Sequence, residues 1–150
     1  MGFFDKIRKG KLFSGKKELP STIVEFIFRQ KRYIIEEFDM EFLQDVDSKN
    51  RPDSETYGGR ITVAFSDTPD ESINAWMMNQ YEKRDGEFRF LLNSGKIMEG
   101  ASLHIKFKEA YCISYQKVMN TSGPGLRTTL VISPRSIQIG NEEFENRWRN

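Results

Sequence analysis

One amphipathic segment over residues 68–83 stands apart, because the other periodic stretches of the chain alternate like β-strands. Thr68 is placed to cap a helix, Pro69 suits its first turn, and Glu71 completes a capping box. The apolar side chains that follow share one face and comprise Ile73, Trp76, Met77 and Tyr81. A single amphipathic helix has to bury such a face against a sheet, so the segment predicts a β-barrel or sandwich with one helix on its flank.

Alternating apolar and polar side chains predict about seven or eight strands in the rest of the chain. These patterns occupy residues 23–28, 33–43, 60–66, 88–92, 103–107, 111–115, 130–132 and 137–139. Gly86 is expected to end the helix. The patterns at 130–132 and 137–139 are expected to form one final strand, in which Pro134 implies an edge position or a bulge. The expected fold class is therefore mainly β.

Charge divides the chain into two parts. Residues 1–20 contain six basic and two acidic side chains, a net charge of +4, whereas the whole chain of 150 residues carries +1. The body, residues 21–150, therefore carries −3 and is expected to form one barrel domain. The basic N-terminal extension, residues 1–20, is expected to be a flexible tail or a short helix. Contact of the extension with a membrane surface or a partner is the alternative, because its cations are interspersed with apolar side chains.

Few residues support catalysis or cofactor binding. His104 and Cys112 are the only histidine and cysteine, so no disulfide can form within the chain, and their spacing indicates neither a catalytic pair nor a metal site. Residues 45–53 lack the glycine and glutamate offsets of an EF-hand, and Gly58-Gly59 lacks the Lys-Ser/Thr of a phosphate loop. The negative body argues against nucleic acid as a partner. The sequence predicts a protein that is not an enzyme and uses no cofactor or metal.

The sequence also lacks the signals of membrane insertion. It contains no apolar run of about 18 residues, the length that a spanning helix needs. Its basic N-terminus lacks the apolar core of a secretory signal peptide. The single cysteine fits folding in a reducing compartment.

The longest stretch without periodicity covers residues 45–59. Loops of about fifteen residues in compact domains are usually functional or bound to a partner. A barrel with such a loop and no catalytic constellation is typical of a protein that works through its surfaces, and a homo-oligomer is the usual outcome.

Seven different short motifs follow one another along the body: Gly58-Gly59-Arg60-Ile61-Thr62-Val63, Ala75-Trp76-Met77, Tyr81-Glu82-Lys83, Phe107-Lys108-Glu109-Ala110-Tyr111, Ile132-Ser133-Pro134-Arg135, Ile139-Gly140-Asn141-Glu142 and Glu145-Asn146-Arg147-Trp148. Together they resemble the tube protein of type VI secretion systems, the haemolysin-coregulated protein family (Hcp or TssD), in the branch found in Bacteroidetes. The likeness covers the chain from about residue 21 to its end.

This resemblance implies a β-barrel of two packed antiparallel sheets with one flanking α-helix, whose copies form hexameric rings. Stacked rings make a hollow tube that carries effectors and is propelled, with a spike at its tip, by a contractile sheath. The subunit would be cytoplasmic during assembly and extracellular after firing. The resemblance places subunit contacts in the loop over residues 45–59 and in the C-terminal segment. The implied interface residues are Asp47, Asn50, Arg51, Asp53, Tyr57, Gly58, Gly59, Asn141, Glu142, Glu145 and Trp148.

Two other functions stay open at this point. The family's barrel typically begins within a few residues of the initiator, whereas nineteen residues precede Pro20 here. Such an extension suits a specialised paralogue, or an adaptor that binds another secretion component. The other alternative is a monomeric barrel that binds a small apolar ligand, with the helix as a lid. The many Phe side chains on inward faces favour a filled interior instead.

Overall fold

The computed structural model describes residues 22–92, 103–123 and 125–148. Within these ranges the chain forms eight strands and one α-helix. The strands are β1 (Thr22–Phe28), β2 (Lys31–Leu43), β3 (Tyr57–Phe65), β4 (Arg84–Leu92), β5 (Leu103–Asn120), β6 (Gly125–Ser133), β7 (Ser136–Ile139) and β8 (Glu142–Glu145), and the helix is α1 (Glu71–Met78). The mainly β class is confirmed. The N-terminal extension lies outside the described residues.

Antiparallel pairing closes the sheet into a barrel. The strand order is β4-β1-β2-β3-β6-β5-β7-β8, and β4 also pairs with β5, so six strands form a closed ring. The strand β5 is long enough to have different neighbours along its length. Its first half pairs with β4 and with β7, whereas Tyr111–Asn120 pairs with β6. The sequence predicted one final strand with Pro134 at an edge position or a bulge. Pro134 instead lies between two separate strands, β6 and β7, and interrupts the ladder there.

Aromatic rings fill the barrel. Phe26 is fully buried and stacks on Phe88, with ring centroids 4.9 Å apart. Phe28, at the end of β1, stacks on Trp76 of α1 at 4.7 Å. Each large apolar side chain removed from water in this way contributes about 2 kcal/mol to folding. The fully buried large side chains are Trp76, Tyr33, Phe26, Phe28, Phe65, Phe88, Phe107, Ile61, Ile73, Ile105, Leu130 and Ile132.

The helix starts later than the sequence predicted. The side chain of Asp70, not Thr68, caps α1 and accepts a hydrogen bond from the backbone N–H of Ser72. A contact from the barrel fixes this start, because the backbone N–H of Asp70 donates to the hydroxyl of Tyr33 at 2.9 Å. Burial raises the pKa of Tyr33 above its usual value, and the hydrogen bond from the Asp70 N–H offsets only part of that shift. The local sequence pattern could not predict the contact between Asp70 and Tyr33, because the two residues are 37 positions apart in the sequence.

The helix also ends earlier than the sequence predicted. It stops at Met78, so the prediction that Tyr81 belongs to its buried stripe is wrong: Tyr81 lies beyond the helix and is 77% exposed. Gly86 does not end the helix but lies within β4. An added Cβ there would clash with the ring of Phe107, so Gly86 makes room for the aromatic core.

Candidate assembly surface

The β2–β3 loop, residues 44–56, is built around one carboxylate. Asp47 Oδ1 accepts hydrogen bonds from the backbone N–H groups of Lys49 (2.8 Å) and Arg51 (3.0 Å). Asp47 Oδ2 accepts from Arg51 Nε at 2.9 Å. The pKa of Asp47 is lowered, chiefly because the backbone N–H groups of Arg51 and Lys49 favour the ionised form. Asn50 occupies the tip with a φ of +62°, a conformation that asparagine tolerates better than most residues.

The base of the β2–β3 loop is held by a second set of bonds around Asp45. Its backbone N–H donates to Ser54 Oγ at 2.8 Å, and its carbonyl accepts from the N–H of Asp53 at 2.8 Å. Its carboxylate accepts from the hydroxyl of Tyr57 at 3.0 Å, and this bond raises the pKa of Tyr57. The loop is therefore an ordered hairpin that depends on bonds within the chain.

Two glycines join the β2–β3 loop to the barrel. Gly58 and Gly59 have φ values of +108° and +76°. Gly59 is the extra residue of a β-bulge, because Glu41 pairs with Arg60 while Phe42 pairs with Gly58. An added Cβ on Gly59 would lie 2.7 Å from Ile137 Cδ1. The two glycines, predicted from family resemblance as interface residues, thus have a local structural role in turning the loop out of the barrel.

The C-terminal segment, residues 141–148, packs against the base of the same loop. Asn146 Nδ2 donates to the carbonyl oxygens of Gly58 (2.8 Å) and Pro134 (3.0 Å). Arg147 lies 3.1 Å from a carboxylate oxygen of Glu55. The structure therefore brings together two segments that are distant in the sequence and that were both predicted to lie at subunit contacts. We call the β2–β3 loop, Tyr57–Gly59 and residues 141–148 the candidate assembly surface.

Apolar contacts of the candidate assembly surface join its C-terminal segment to the barrel. Phe144 of β8 meets Phe42 of β2 edge to face, with centroids 4.8 Å apart. Trp148 stacks on Tyr111 of β5 at 5.2 Å. Trp148 is thus packed on its own barrel.

The interface residues predicted from sequence occupy different places on this surface. Asn50 and Asp53 are exposed on the loop, and Asn141 lies exposed in the turn before β8. Glu142 and Glu145 are exposed on β8 itself. Near the base of the loop, apolar side chains are also open to solvent: Leu43 (46%), Val46 (52%) and Tyr57 (43%). These exposed groups are available for contact with another molecule.

Sequence reasoning did not single out the residues that connect the two segments. Asn146, Arg147 and Glu55 were absent from the predicted interface set. Asn146 belongs to the C-terminal family motif, but its partner Gly58 is 88 positions away in the sequence. Periodicity and spacing carry no signal at that separation.

The described residues offer little for catalysis. Across residues 22–92, 103–123 and 125–148, no group of three or more His, Cys, Asp and Glu side chains is placed to hold a metal ion. His104 is exposed on β5. Burial raises the pKa of the Cys112 thiol to about 11, which leaves it protonated and unreactive at neutral pH. None of the described helical structure is both long and apolar enough to cross a membrane.

Solved structures share this fold. Hcp1 from Flavobacterium johnsoniae aligns with a TM-score of 0.73 and 28% identity, covering 83% of this chain and 99% of that protein. An Hcp1 from E. coli aligns with a TM-score of 0.59 at 9% identity, covering 87% of this chain and 100% of that one. The PVC sheath/tube terminator, from an extracellular contractile injection system, has a TM-score of 0.51 at 11% identity, with coverage of 83% and 97%. The last two likenesses concern the fold alone.

The sequence comparison identifies the family. No curated protein matches the chain. The family profile described as hemolysin coregulated protein Hcp (TssD) matches residues 20–149, which is nearly the whole chain. Proteins of this family are structural, so the prediction that the chain is not an enzyme is confirmed. The chain belongs to the Hcp (TssD) family, the tube proteins of type VI secretion systems.

Proposed function

We propose that this protein forms hexameric rings that stack into the hollow tube of a type VI secretion system. The tube would be propelled by a contractile sheath, carry a spike at its tip and hold effectors in its lumen. The subunit would assemble in the cytoplasm and leave the cell on firing. Membership of the Hcp (TssD) family supports the tube role, and the rings, their stacking and these partners extend it.

The observation that carries this proposal is the convergence of the loop and the C-terminal segment. The two are tied together at Asn146 and by the ion pair of Arg147 with Glu55, whereas Asn50 and Asp53 remain exposed. A preformed hairpin costs less conformational entropy on association than a loop that must first be ordered. Exposed apolar and charged side chains lie side by side there, as they do at many homo-oligomer contacts.

The filled barrel disfavours the small-ligand alternative. Phe26, Phe88 and Phe107 are each no more than 1% exposed and contact one another across the interior. Trp76 of α1 closes the end of this cluster by stacking on Phe28. A helix that anchors the core in this way would expose several aromatic rings if it opened as a lid.

Native mass spectrometry of the full-length protein tests the proposal, together with single-particle imaging. We expect closed rings of about six copies, the number proposed above, and rings in contact through opposite faces at high concentration. A protein that stays monomeric at high concentration would exclude the proposed assembly.

A charge reversal tests the role of the loop. Asp53→Lys changes an exposed loop residue, and Asp39→Lys makes the same change at an exposed position of β2 on the barrel wall. We expect Asp53→Lys to lower the fraction of stacked rings by at least about tenfold at matched concentration, with no change in thermal unfolding. Equal effects of the two variants would show that the β2–β3 loop is not the contact.

A further inference from the structure

A groove beside the C-terminal end of α1 adjoins the candidate assembly surface only at Tyr111, on which Trp148 stacks. It has a volume of about 580 Å³. It is lined by Met77 and Met78 of α1, by Gln80 and Tyr81 just beyond the helix, and by Tyr111, Cys112 and Ile113 of β5. Met78 and Tyr81 are 79% and 77% exposed, an unusual state for large apolar groups that lie side by side.

The strand wall of the groove is opened by a bulge. Cys112 pairs with Ile132 and Ser114 pairs with Val131, so Ile113 is the extra residue on β5. A bulge of this kind re-aims a side chain, and Ile113 is 44% exposed toward the groove. The helix wall contributes two methionines, whose flexible thioether side chains adapt to different apolar partners.

We propose that this groove binds the N-terminal extension of the same chain, through Phe3, Phe4 and Ile7. The extension precedes the family domain, which begins at residue 20, and it carries +4 against −3 on the body. Because the two parts have opposite net charges, the extension is attracted to the body, whereas two copies of the extension repel each other.

The partial negative charge at the C-terminal end of α1 agrees with this choice of occupant. The first turn of α1 has the acidic Glu71, but its last turn has no basic residue. The carbonyl end of a helix is stabilised by a nearby cation. Lys6, Arg8 and Lys9 adjoin the three apolar residues of the extension and would supply that cation when Phe3, Phe4 and Ile7 enter the groove.

The chain is long enough for the extension to reach the groove. β1 starts at Thr22 and ends at Phe28, which stacks on Trp76 of α1. The extension must therefore return about 20 Å along β1, at about 3.3 Å per residue, and then about 10 Å past the helix. The fourteen residues 8–21 can span up to about 46 Å when extended. Binding within one chain is therefore sterically accessible.

Cysteine cross-linking of the full-length protein tests this proposal. In a Cys112→Ala background, Asp5→Cys is combined with Gln80→Cys, which borders the groove, or with Glu143→Cys, an exposed control on β8. We expect mild oxidation to link Asp5→Cys to Gln80→Cys within one chain, at least about tenfold faster than to Glu143→Cys and independently of dilution. Equal rates for both pairs, or links between chains only, would overturn the proposal.

Amide hydrogen exchange gives an independent test without new cysteines. Phe3→Ser with Phe4→Ser should speed exchange at Tyr111–Ile113 by about fivefold, because the groove loses its cover. The control, Lys16→Ser with Lys17→Ser, alters only the linking part of the extension and should leave this exchange unchanged. Unaltered exchange in the first variant, or equal increases in both, would contradict binding through the Phe residues.

Discussion

Gly59 lies where the candidate assembly surface joins the barrel. Its φ of +76° lies in the left-handed region, and the bulge it forms sends the chain from the β2–β3 loop into β3. Its Cα also faces Ile137, Phe42 and Phe144, which leave no room for a side chain. One glycine thus satisfies a backbone requirement and a packing requirement together.

Replacement of Gly59 by alanine should separate these two requirements. Gly59→Ala is expected to lower the free energy of unfolding by about 2–4 kcal/mol, because overpacking adds to the cost of positive φ. Gly140→Ala is the matched control, since Gly140 has a φ of +58° but open space where a Cβ would lie. The control should lose only about 1 kcal/mol in urea unfolding. Equal losses would refute the packing argument.

Asp47 gives the β2–β3 loop a dependence on pH. Its pKa in the folded protein is below that of an exposed aspartate, about 3.9, so its hydrogen bonds stabilise the loop above that pH. The stabilisation is lost as the pH falls through the lowered pKa. We expect the amides of Lys49 and Arg51 to exchange slowly at neutral pH, after correction for the intrinsic rate, and to lose this protection in acid.

The control for that experiment is Asp47→Asn, which keeps the shape of the side chain and removes its titration. Loop protection in this variant should already be low at neutral pH and should show no acid-dependent step. An acid step that persists in Asp47→Asn would assign the pH dependence to another group.

At the scale of elements, tertiary contacts define α1. The helix has only eight residues, too few to be stable alone in water. Trp76 secures it, because its ring stacks on Phe28 and its indole N–H donates to the carbonyl of Ala110 at 2.9 Å in the buried interior. The helix is thereby fixed to β1 and β5 at once.

Trp76→Phe should therefore destabilise the whole barrel. We expect a loss of about 2–4 kcal/mol in the free energy of unfolding, because the variant leaves a smaller ring and removes the buried hydrogen bond to the Ala110 carbonyl. Met78→Ala, on the exposed side of the same helix, should change stability by no more than about 0.5 kcal/mol. Chemical unfolding followed by circular dichroism distinguishes the two, and a loss below about 1 kcal/mol for Trp76→Phe would mean that its hydrogen bond and stacking contribute little.

At the scale of the whole molecule, Asn146 links the end of the chain to the start of β3. It is the half-buried donor to two carbonyl oxygens, and the ion pair of Arg147 with Glu55 lies next to it. The candidate assembly surface therefore exists only when the barrel is closed and the C-terminal segment is in place. Assembly of this surface is coupled to folding of the complete domain.

Asn146→Ala is expected to weaken stability and assembly together. Loss of its two hydrogen bonds should lower the free energy of unfolding by about 1–3 kcal/mol, and the ring fraction in native mass spectra should fall at matched concentration. Asn141→Ala, at an exposed turn position, should leave the unfolding curve almost unchanged. A variant that loses stability but assembles like the wild type would separate the two roles.

The strands and the family were predictable from the sequence because both depend on local information. Alternation at Phe38, Met40 and Phe42 marks a strand wherever it lies in the fold, and the ordered motifs identify the family without coordinates. The limits of α1 were not predictable, because Tyr33 fixes its start from another strand. The residues of the candidate interface remain predictions, although the structure gives several of them a role within the subunit.

The sequence by itself determined that this chain is mainly β, has an amphipathic helix after the strand at residues 60–66 and belongs to the Hcp (TssD) family. Only the tertiary structure decided where the helix begins and ends, that the strands close into a single sheet, and that the β2–β3 loop meets the C-terminal segment. The physical reason is separation along the chain. Periodicity reports which face of an element is apolar, whereas the bond from Asn146 to Gly58 spans 88 positions and forms only when barrel closure brings the two residues together.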